Sequence, residues 1–218
     1  MKVVLFGASG MVGQGVLREC LLDPRVERVL SVGRSTTGQQ HPKLRELVHA
    51  DFLDFSAIEN DLAGYDACFF CLGVSSAGMS EADYRRVTYD FTLAAAQTLA
   101  RLNPNMTFIY VSGAGTDSTE RGRTMWARVK GATENALLRL PLKAFMFRPA
   151  LIQPMHGIRS KTTSYRVFYA LTAPLLPLLK RLPRYVTTTE QIGRAMIAIA
   201  EHGAPSPILE SADINAIR

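Results

Sequence analysis

Cysteine, histidine and dense runs of charge are all scarce in this 218-residue chain, and each shortage removes a class of protein from consideration. The three cysteines, Cys20, Cys68 and Cys71, sit in apolar contexts and follow neither a disulfide framework nor a metal-ligand spacing, which fits a reducing compartment. His41, His49, His156 and His202 show no ligand spacing either, so no metal site is expected. Lysine and arginine outnumber aspartate and glutamate by 25 to 19, yet beyond pairs such as Arg85-Arg86 and Lys180-Arg181 they are scattered. A net charge of +6 spread in that way suits a small anionic ligand rather than nucleic acid. The most apolar later stretch, Val167 to Leu179, is too short to span a bilayer and is interrupted by Pro174 and Pro177, so it reads as a helical lid or a surface contact. Met1-Lys2 runs directly into a strand-like segment and leaves no room for a signal or transit peptide; the expected location is the cytoplasm. Internal repeats and low-complexity tracts are missing as well.

With 47% apolar and 20% charged residues, the chain has the makings of one globular domain over residues 1–218. Lys2-Val3-Val4-Leu5-Phe6 is a continuous apolar run of the kind buried on both faces of a parallel sheet. Strand character returns at Arg28–Val32, Glu46–Ala50, Ala67–Cys71, Thr107–Ser112 and Ala144–Arg148, giving six expected strands. Helical patterns lie between them at Met11–Leu22, Phe55–Leu62, Glu81–Arg101 and Met125–Leu140. This alternation predicts an α/β fold, a doubly wound parallel sheet of Rossmann type. After Pro149 the alternation stops, and helical segments at Ser164–Leu182 and Thr189–His202 predict a small, mainly helical C-terminal cap over about residues 151–218.

The segment Gly7-Ala8-Ser9-Gly10-Met11-Val12-Gly13 spaces its glycines three apart between a buried strand and a helix. The first glycine permits a tight turn, the second lets backbone approach a diphosphate, and the third lets helix pack on strand, while N–H groups at the helix start face the anion. The expected ligand is a nicotinamide dinucleotide. At the end of the second strand, an acidic residue would bond the ribose 2′-hydroxyl and repel a 2′-phosphate. Ser31-Val32-Gly33-Arg34-Ser35-Thr36 offers no carboxylate there; Arg34 supplies a forked cation, and Ser35 and Thr36 supply hydroxyl donors. NADP(H) is therefore expected over NAD(H), although an Arg34 that merely sits in solvent or stacks on adenine remains the alternative. Asp51, with Phe52 beside it, is positioned to accept from the adenine amino group, or else to cap a turn.

These residues, with Gly33-Arg34, Cys71-Leu72-Gly73, Val111-Ser112-Gly113, the helix bearing Lys130, and Phe147-Arg148-Pro149-Ala150, resemble the atypical branch of the short-chain dehydrogenase/reductase superfamily over nearly the whole chain. The likeness is to its small NADPH-binding oxidoreductases of the Tat-interacting-protein type. The resemblance implies that Cys71, Leu72, Gly73, Val111, Arg148 and Pro149 border the cofactor and that Lys130 bonds the nicotinamide ribose. It also implies a catalytic serine at Ser112 and a catalytic lysine at Lys130. The tyrosine that the superfamily places four residues before the lysine is here Trp126. An indole N–H donates a hydrogen bond but does not exchange a proton in water, so Trp126 cannot replace a phenol; it either fills core space or stacks in the pocket. Tyr84, Tyr89 and Tyr165 are other phenols in the chain, each with a packing role as the alternative. Cys71 has no neighbouring base in sequence and reads as a small buried apolar residue rather than a nucleophile.

Two main functional readings follow. One is a reductase of an unidentified small-molecule carbonyl, with Gln153, Met155, His156 and Arg159 as pocket edges. The other is a cofactor-binding module read by a protein partner or another copy of the chain, with the basic segment Arg166–Arg184 as a contact surface. Epimerase or dehydratase chemistry ranks third, because it too normally needs the tyrosine.

Overall fold

Strand β1 (Lys2–Phe6) alternates its side chains between two helical layers. Val4 and Phe6 join one apolar cluster, while Val3 and Leu5 join the other. All four are fully buried, as an interior strand of a parallel sheet requires. The computed structural model describes residues 1–158 and 184–217. The helix expected over Ser164–Leu182, along with Arg159 and Tyr165, lies outside those residues.

The chain continues through α1 (Met11–Leu22), β2 (Arg28–Gly33), β3 (Leu44–Val48), a 3-10 turn at Ser56–Ile58 that leads into α2 (Glu59–Leu62), and β4 (Ala67–Phe70). Next come α3 (Glu81–Arg85), a wide π turn at Arg86–Asp90, α4 (Phe91–Leu102), β5 (Thr107–Val111), α5 (Met125–Leu137) and β6 (Lys143–Arg148). The C-terminal part holds β7 (Leu151–Gln153), β8 (Val186–Thr188), α6 (Thr189–His202), β9 (Ile208–Glu210) and α7 (Ser211–Ala216). Seven parallel strands pair in the order β3-β2-β1-β4-β5-β6-β9, and β7 and β8 form a separate parallel pair. The order reverses at β1, where Phe6 lies opposite Val32 on one side and Phe70 on the other. That reversal opens a crevice at the carboxyl ends of the strands, immediately above the glycine turn.

The doubly wound sheet and the small, mainly helical C-terminal part agree with expectation, and several details differ. A seventh strand, β9, adds to β6 through Met146 opposite Ile208; three residues following Pro207 are too few to register as a pattern. The third strand runs Leu44–Val48 rather than Glu46–Ala50, because pairing with β2 places Leu44 opposite Val29 and Val48 opposite Gly33. It is an edge strand with exposed Arg45 and Val48, so its burial pattern marks its bounds poorly. The Phe55–Leu62 helix shrinks to a 3-10 turn and one helical turn, and the helix from Met125 ends at Leu137 rather than Leu140.

Helices α1 and α6 cross on one face of the sheet through glycines. A Cβ on Gly15 would stand 2.5 Å from the Thr189 Cβ, and one on Gly193 would stand 2.8 Å from the Glu19 Cγ. Each helix therefore uses hydrogen where any side chain would force the pair apart. Gly15→Ala is expected to destabilise the protein by about 1–3 kcal/mol through overpacking, read as a lowered urea midpoint at unchanged slope; an unchanged midpoint would show that the helices separate without cost.

Candidate functional site

The glycine turn is dictated by backbone contact. Gly7 has a φ of +80°, and a Cβ there would lie 2.6 Å from the Cys71 carbonyl carbon and the Leu72 nitrogen. A Cβ on Gly13 would lie 2.0 Å from the Gly7 oxygen, so helix α1 rests directly on the turn. The Gly10 N–H donates to the Gly7 oxygen at 2.9 Å, and the Gln14 side chain donates to the Ser9 carbonyl at 3.1 Å. Gly10 caps α1 without a side chain, and the first turn through Met11, Val12 and Gly13 contains no acidic residue. The early N–H groups thus face the crevice with no internal carboxylate to satisfy them, a setting made for an anion such as a diphosphate. Ala8 is buried beneath the turn, and Cys71-Leu72-Gly73 leaves β4 alongside it, the Cys71 N–H donating to the Phe6 oxygen at 3.0 Å. Nothing lies within 4 Å of the position a Gly73 Cβ would take.

Arg34 and Ser35 leave β2 exposed, and among the described residues no carboxylate pairs with Arg34. Their loop is tied down farther on, where the Thr37 N–H donates to Glu46 at 2.6 Å. Asp51 is exposed and its carboxylate accepts from the Leu53 N–H at 2.9 Å, which is a turn role. Phe52 is buried among Phe6, Phe55 and Phe91, with ring centroids 5.7–6.2 Å away. It backs this wall of the crevice rather than facing it.

At the end of β5 the polar groups form one connected network. The Ser112 hydroxyl donates to Glu134 at 2.5 Å and lies 3.1 Å from the Phe147 carbonyl. Glu134 is 0% exposed, and Arg148 clasps both its carboxylate oxygens while also donating to the Ser118 hydroxyl at 2.6 Å. Lys130, one helical turn before Glu134, donates to the Ser112 carbonyl and stands beside Gly113. Burial lowers the Lys130 ammonium to about 8, against a smaller upward pull from Glu134. Helix α5 can sit this close because Gly131 meets the Asp117 carbonyl, where any Cβ would collide at 1.7 Å. Trp126 is half-buried one turn before Lys130, its indole packed against Gly115. Val111 and Pro149 frame this end, the Pro149 carbonyl accepting from the Ala114 N–H at 3.0 Å.

The network redistributes the roles read from sequence. Ser112, Lys130 and Arg148 come together, but the Ser112 hydroxyl and the Arg148 guanidinium are both engaged by Glu134. Sequence reasoning passed over Glu134. Its signal was a carboxylate four residues after Lys130, on a helix face otherwise made of Ala127, Val129, Gly131 and Leu137. Tyr84 is buried, and Tyr89 is half-buried with the Arg85 guanidinium 4.0 Å over its ring. Burial pushes the Cys71 thiol well above its ordinary value, so it is no nucleophile at neutral pH.

A cleft of about 680 Å³ opens beside Ala114, its lining including Ala150, Arg184, Tyr185, Glu210 and Ser211. Met155 and His156, expected at pocket edges, do not line this cleft: the Met155 N–H donates to Thr189, while His156 meets Glu190 at 2.6 Å and borders a second cavity of about 420 Å³ with Gln14, Arg18 and His41. Glu19, His156 and Glu190 bring ligand atoms within 4.8 Å of one another, a grouping their sequence spacing conceals. Arg18 and Arg194 pair with these same carboxylates at 2.5–3.1 Å, which makes the group an ion-pair cluster between α1, α6 and the β7 loop.

Crevice, glycine turn and lysine-bearing helix together define a short-chain dehydrogenase/reductase architecture. Residues 3–122 match the model of the NAD dependent epimerase/dehydratase family, and the chain belongs to that family. It is 26% identical over 224 residues to the protein fmp52-2, mitochondrial, of Aspergillus oryzae, covering 96% of this chain and 93% of that one. It is 26% identical over 155 residues to the rat protein HTATIP2, covering 69% of this chain and 62% of that protein, less than two thirds of its length. Among solved structures it is similar to the Bordetella bronchiseptica enzyme WbmF in complex with NAD+, with a TM-score of 0.70, 18% identity and coverage of 98% and 76%. It is also similar to the UDP-N-acetylglucosamine 4-epimerase of Methanobrevibacter ruminantium, with a TM-score of 0.73, 15% identity and coverage of 96% and 75%. At these identities the structures establish the fold.

Glu134→Ala would strand Arg148 and remove the acceptor for Ser112. The expected loss is about 3–5 kcal/mol of folding stability by urea denaturation, since one partner of a buried ion pair is left uncompensated. A loss below about 1 kcal/mol would mean that water enters the site and replaces the carboxylate.

Proposed function

We propose that this chain is an NADP(H)-binding oxidoreductase that reduces a small carbonyl compound. The observation that carries this reading is Arg34 standing, unpaired by any described carboxylate, where an NAD-selective site would place an acid. Gly7, Ala8, Ser9, Gly10, Met11, Val12 and Gly13 would hold the diphosphate, with Arg34 and Ser35 on the 2′-phosphate. Asp51 and Phe52 would bound the adenine, and Cys71, Leu72, Gly73, Val111 and Pro149 would border the nicotinamide half. The glycine cradle fits such a group, because hydrogen occupies each place where a side chain would block the backbone. When bound, the cofactor supplies hydride to the carbonyl carbon. Lys130 would orient the ribose and the reacting oxygen. Ser112 would act through its backbone and the network rather than through a free hydroxyl, and Arg148 would fix that network instead of touching the cofactor. The cleft beside Ala114, with small alanines and one face of Tyr185, would accept a compact apolar substrate.

A second reading is favoured by Trp126: a module that binds the cofactor and is recognised by a protein partner without turnover. Epimerase or dehydratase chemistry, which the names of some structural neighbours suggest, is a third; it too would have to proceed without a phenol at position 126.

Calorimetric titration with NADPH and NADH tests the central reading. NADPH should bind more tightly, and Arg34→Ala should weaken NADPH by about 10- to 100-fold, the worth of a hydrogen bond to a charged group, while leaving NADH unchanged. Equal affinities would sink the 2′-phosphate assignment, and binding of neither cofactor would sink the whole reading. NADPH oxidation over a panel of aldehydes, ketones and quinones, with Lys130→Ala as control, then separates the enzyme from the binding module.

A further inference from the structure

Reducing a carbonyl requires a proton for the oxygen as well as hydride for the carbon, and the end of β5 offers few groups that titrate. Trp126 has no exchangeable proton of suitable acidity. The Ser112 hydroxyl is donated to Glu134, and Glu134 is held by both Ser112 and Arg148. Arg148 keeps its charge at any working pH. Burial pushes the thiol of Cys71 and the phenol of Tyr110 far up, and Tyr110 is also bonded to Thr133. Lys130 differs from all of these. Its only hydrogen bond among the described residues is to the neutral Ser112 carbonyl, no described carboxylate pairs with it, and its Nζ lies 3.7 Å from where a Cβ would stand on Gly113, the residue before Ala114 of the cleft lining.

We infer that Lys130 is itself the proton donor of this site, taking over the part that a phenol at position 126 would have played. The inference rests on the reductase reading above. As hydride reaches the carbonyl carbon, the π pair moves onto oxygen and takes a proton from the Lys130 ammonium. The N–H bonding pair stays on Nζ, leaving a neutral amine that water reprotonates. Lysine suits the task here because burial brings its acidity to about 8, near neutrality, where a donor both holds its proton and releases it readily.

Each element packed against Lys130 bears on its charge. On its own helix α5, Glu134 favours the ammonium, and from β6 Arg148 neutralises that carboxylate. The Asp117 carboxylate in the loop after β5 is turned to the Thr119 and Gly122 N–H groups. Burial pushes the phenol of Tyr110 on β5 far up, and Tyr84 on α3 is buried. With no strong counter-charge, the amine is free to respond to a cation placed beside it.

That response supplies a test independent of turnover. A dinucleotide laid across the crevice from Arg34 would put its nicotinamide end over the ends of β4 and β5, toward Lys130. The oxidised ring is a cation and the reduced ring is neutral, so the oxidised form should expel a proton from Nζ. Titrations of NADP+ and NADPH in buffers of different ionisation enthalpy at pH 8 count the protons released. Because about half the Lys130 amines carry the proton at that pH, NADP+ should release up to about half a proton more than NADPH. The 2′-phosphate is common to both forms and cancels. In Lys130→Arg, which keeps the charge but cannot give up the proton, the difference should vanish, and Lys130→Met should behave alike. Equal release from the two cofactor forms, or a difference that survives in Lys130→Arg, would overturn the inference and pass the role to another group such as Tyr89. Binding of neither form would instead overturn the reductase reading beneath it.

Discussion

The contact between Gly7 and Gly13 governs the rest of the molecule. With the Gly7 oxygen where a Gly13 Cβ would be, α1 lies directly on the end of β1, and its uncapped first turn opens toward the crevice. The second helix of that face follows from the first: Gly15 and Gly193 let α6 cross α1 at backbone distance, and α6 carries the C-terminal elements back to the sheet. A methyl group at any of these glycines would lift one layer from another. One choice of residue thus fixes both the geometry that receives an anion and the packing that holds the C-terminal part in place.

On the other side of the crevice, buried charge does comparable work. Glu134 is wholly removed from water, and its desolvation is offset only because Arg148 and Ser112 meet it with directed hydrogen bonds. The same bonds join α5 to the ends of β5 and β6, so the position of Lys130 is set by its helix and by the strand carbonyl it touches. Arg148 also approaches Glu210 at 3.8 Å, which links the network to the last strand and to the cleft wall.

Much of this was legible in the sequence, for identifiable reasons. β1, β4 and β5 are apolar on both faces, and α1 and α6 begin and end at strong local signals, so their order and the crevice followed from pattern alone. β3 was misplaced because an edge strand has one solvated side, and β7, β8 and β9 were missed because three residues carry no periodicity. The candidate site was half visible. Gly7 to Gly13 and Arg34 could be placed by spacing after a strand, whereas Ser112 and Lys130 were placed only by resemblance to the superfamily's motifs. The partnership of Glu134 with Arg148, and the meeting of His156 with Glu19 and Glu190, join residues 14 to 171 positions apart and come only from the fold.

Trp126 raises the question of what an active site retains when its most acidic group is gone. The indole in that place packs against Gly115 after the end of β5. What changes is the electrostatic setting of the lysine one turn on. Beside a phenol, a buried ammonium serves to raise the acidity of its neighbour. Beside an indole it has no acid to tune, and its own desolvation becomes the main influence on where the proton sits. On the proposed reading, burial that stabilises nothing by itself becomes the source of acidity, and the part of proton donor falls one helical turn along from position 126.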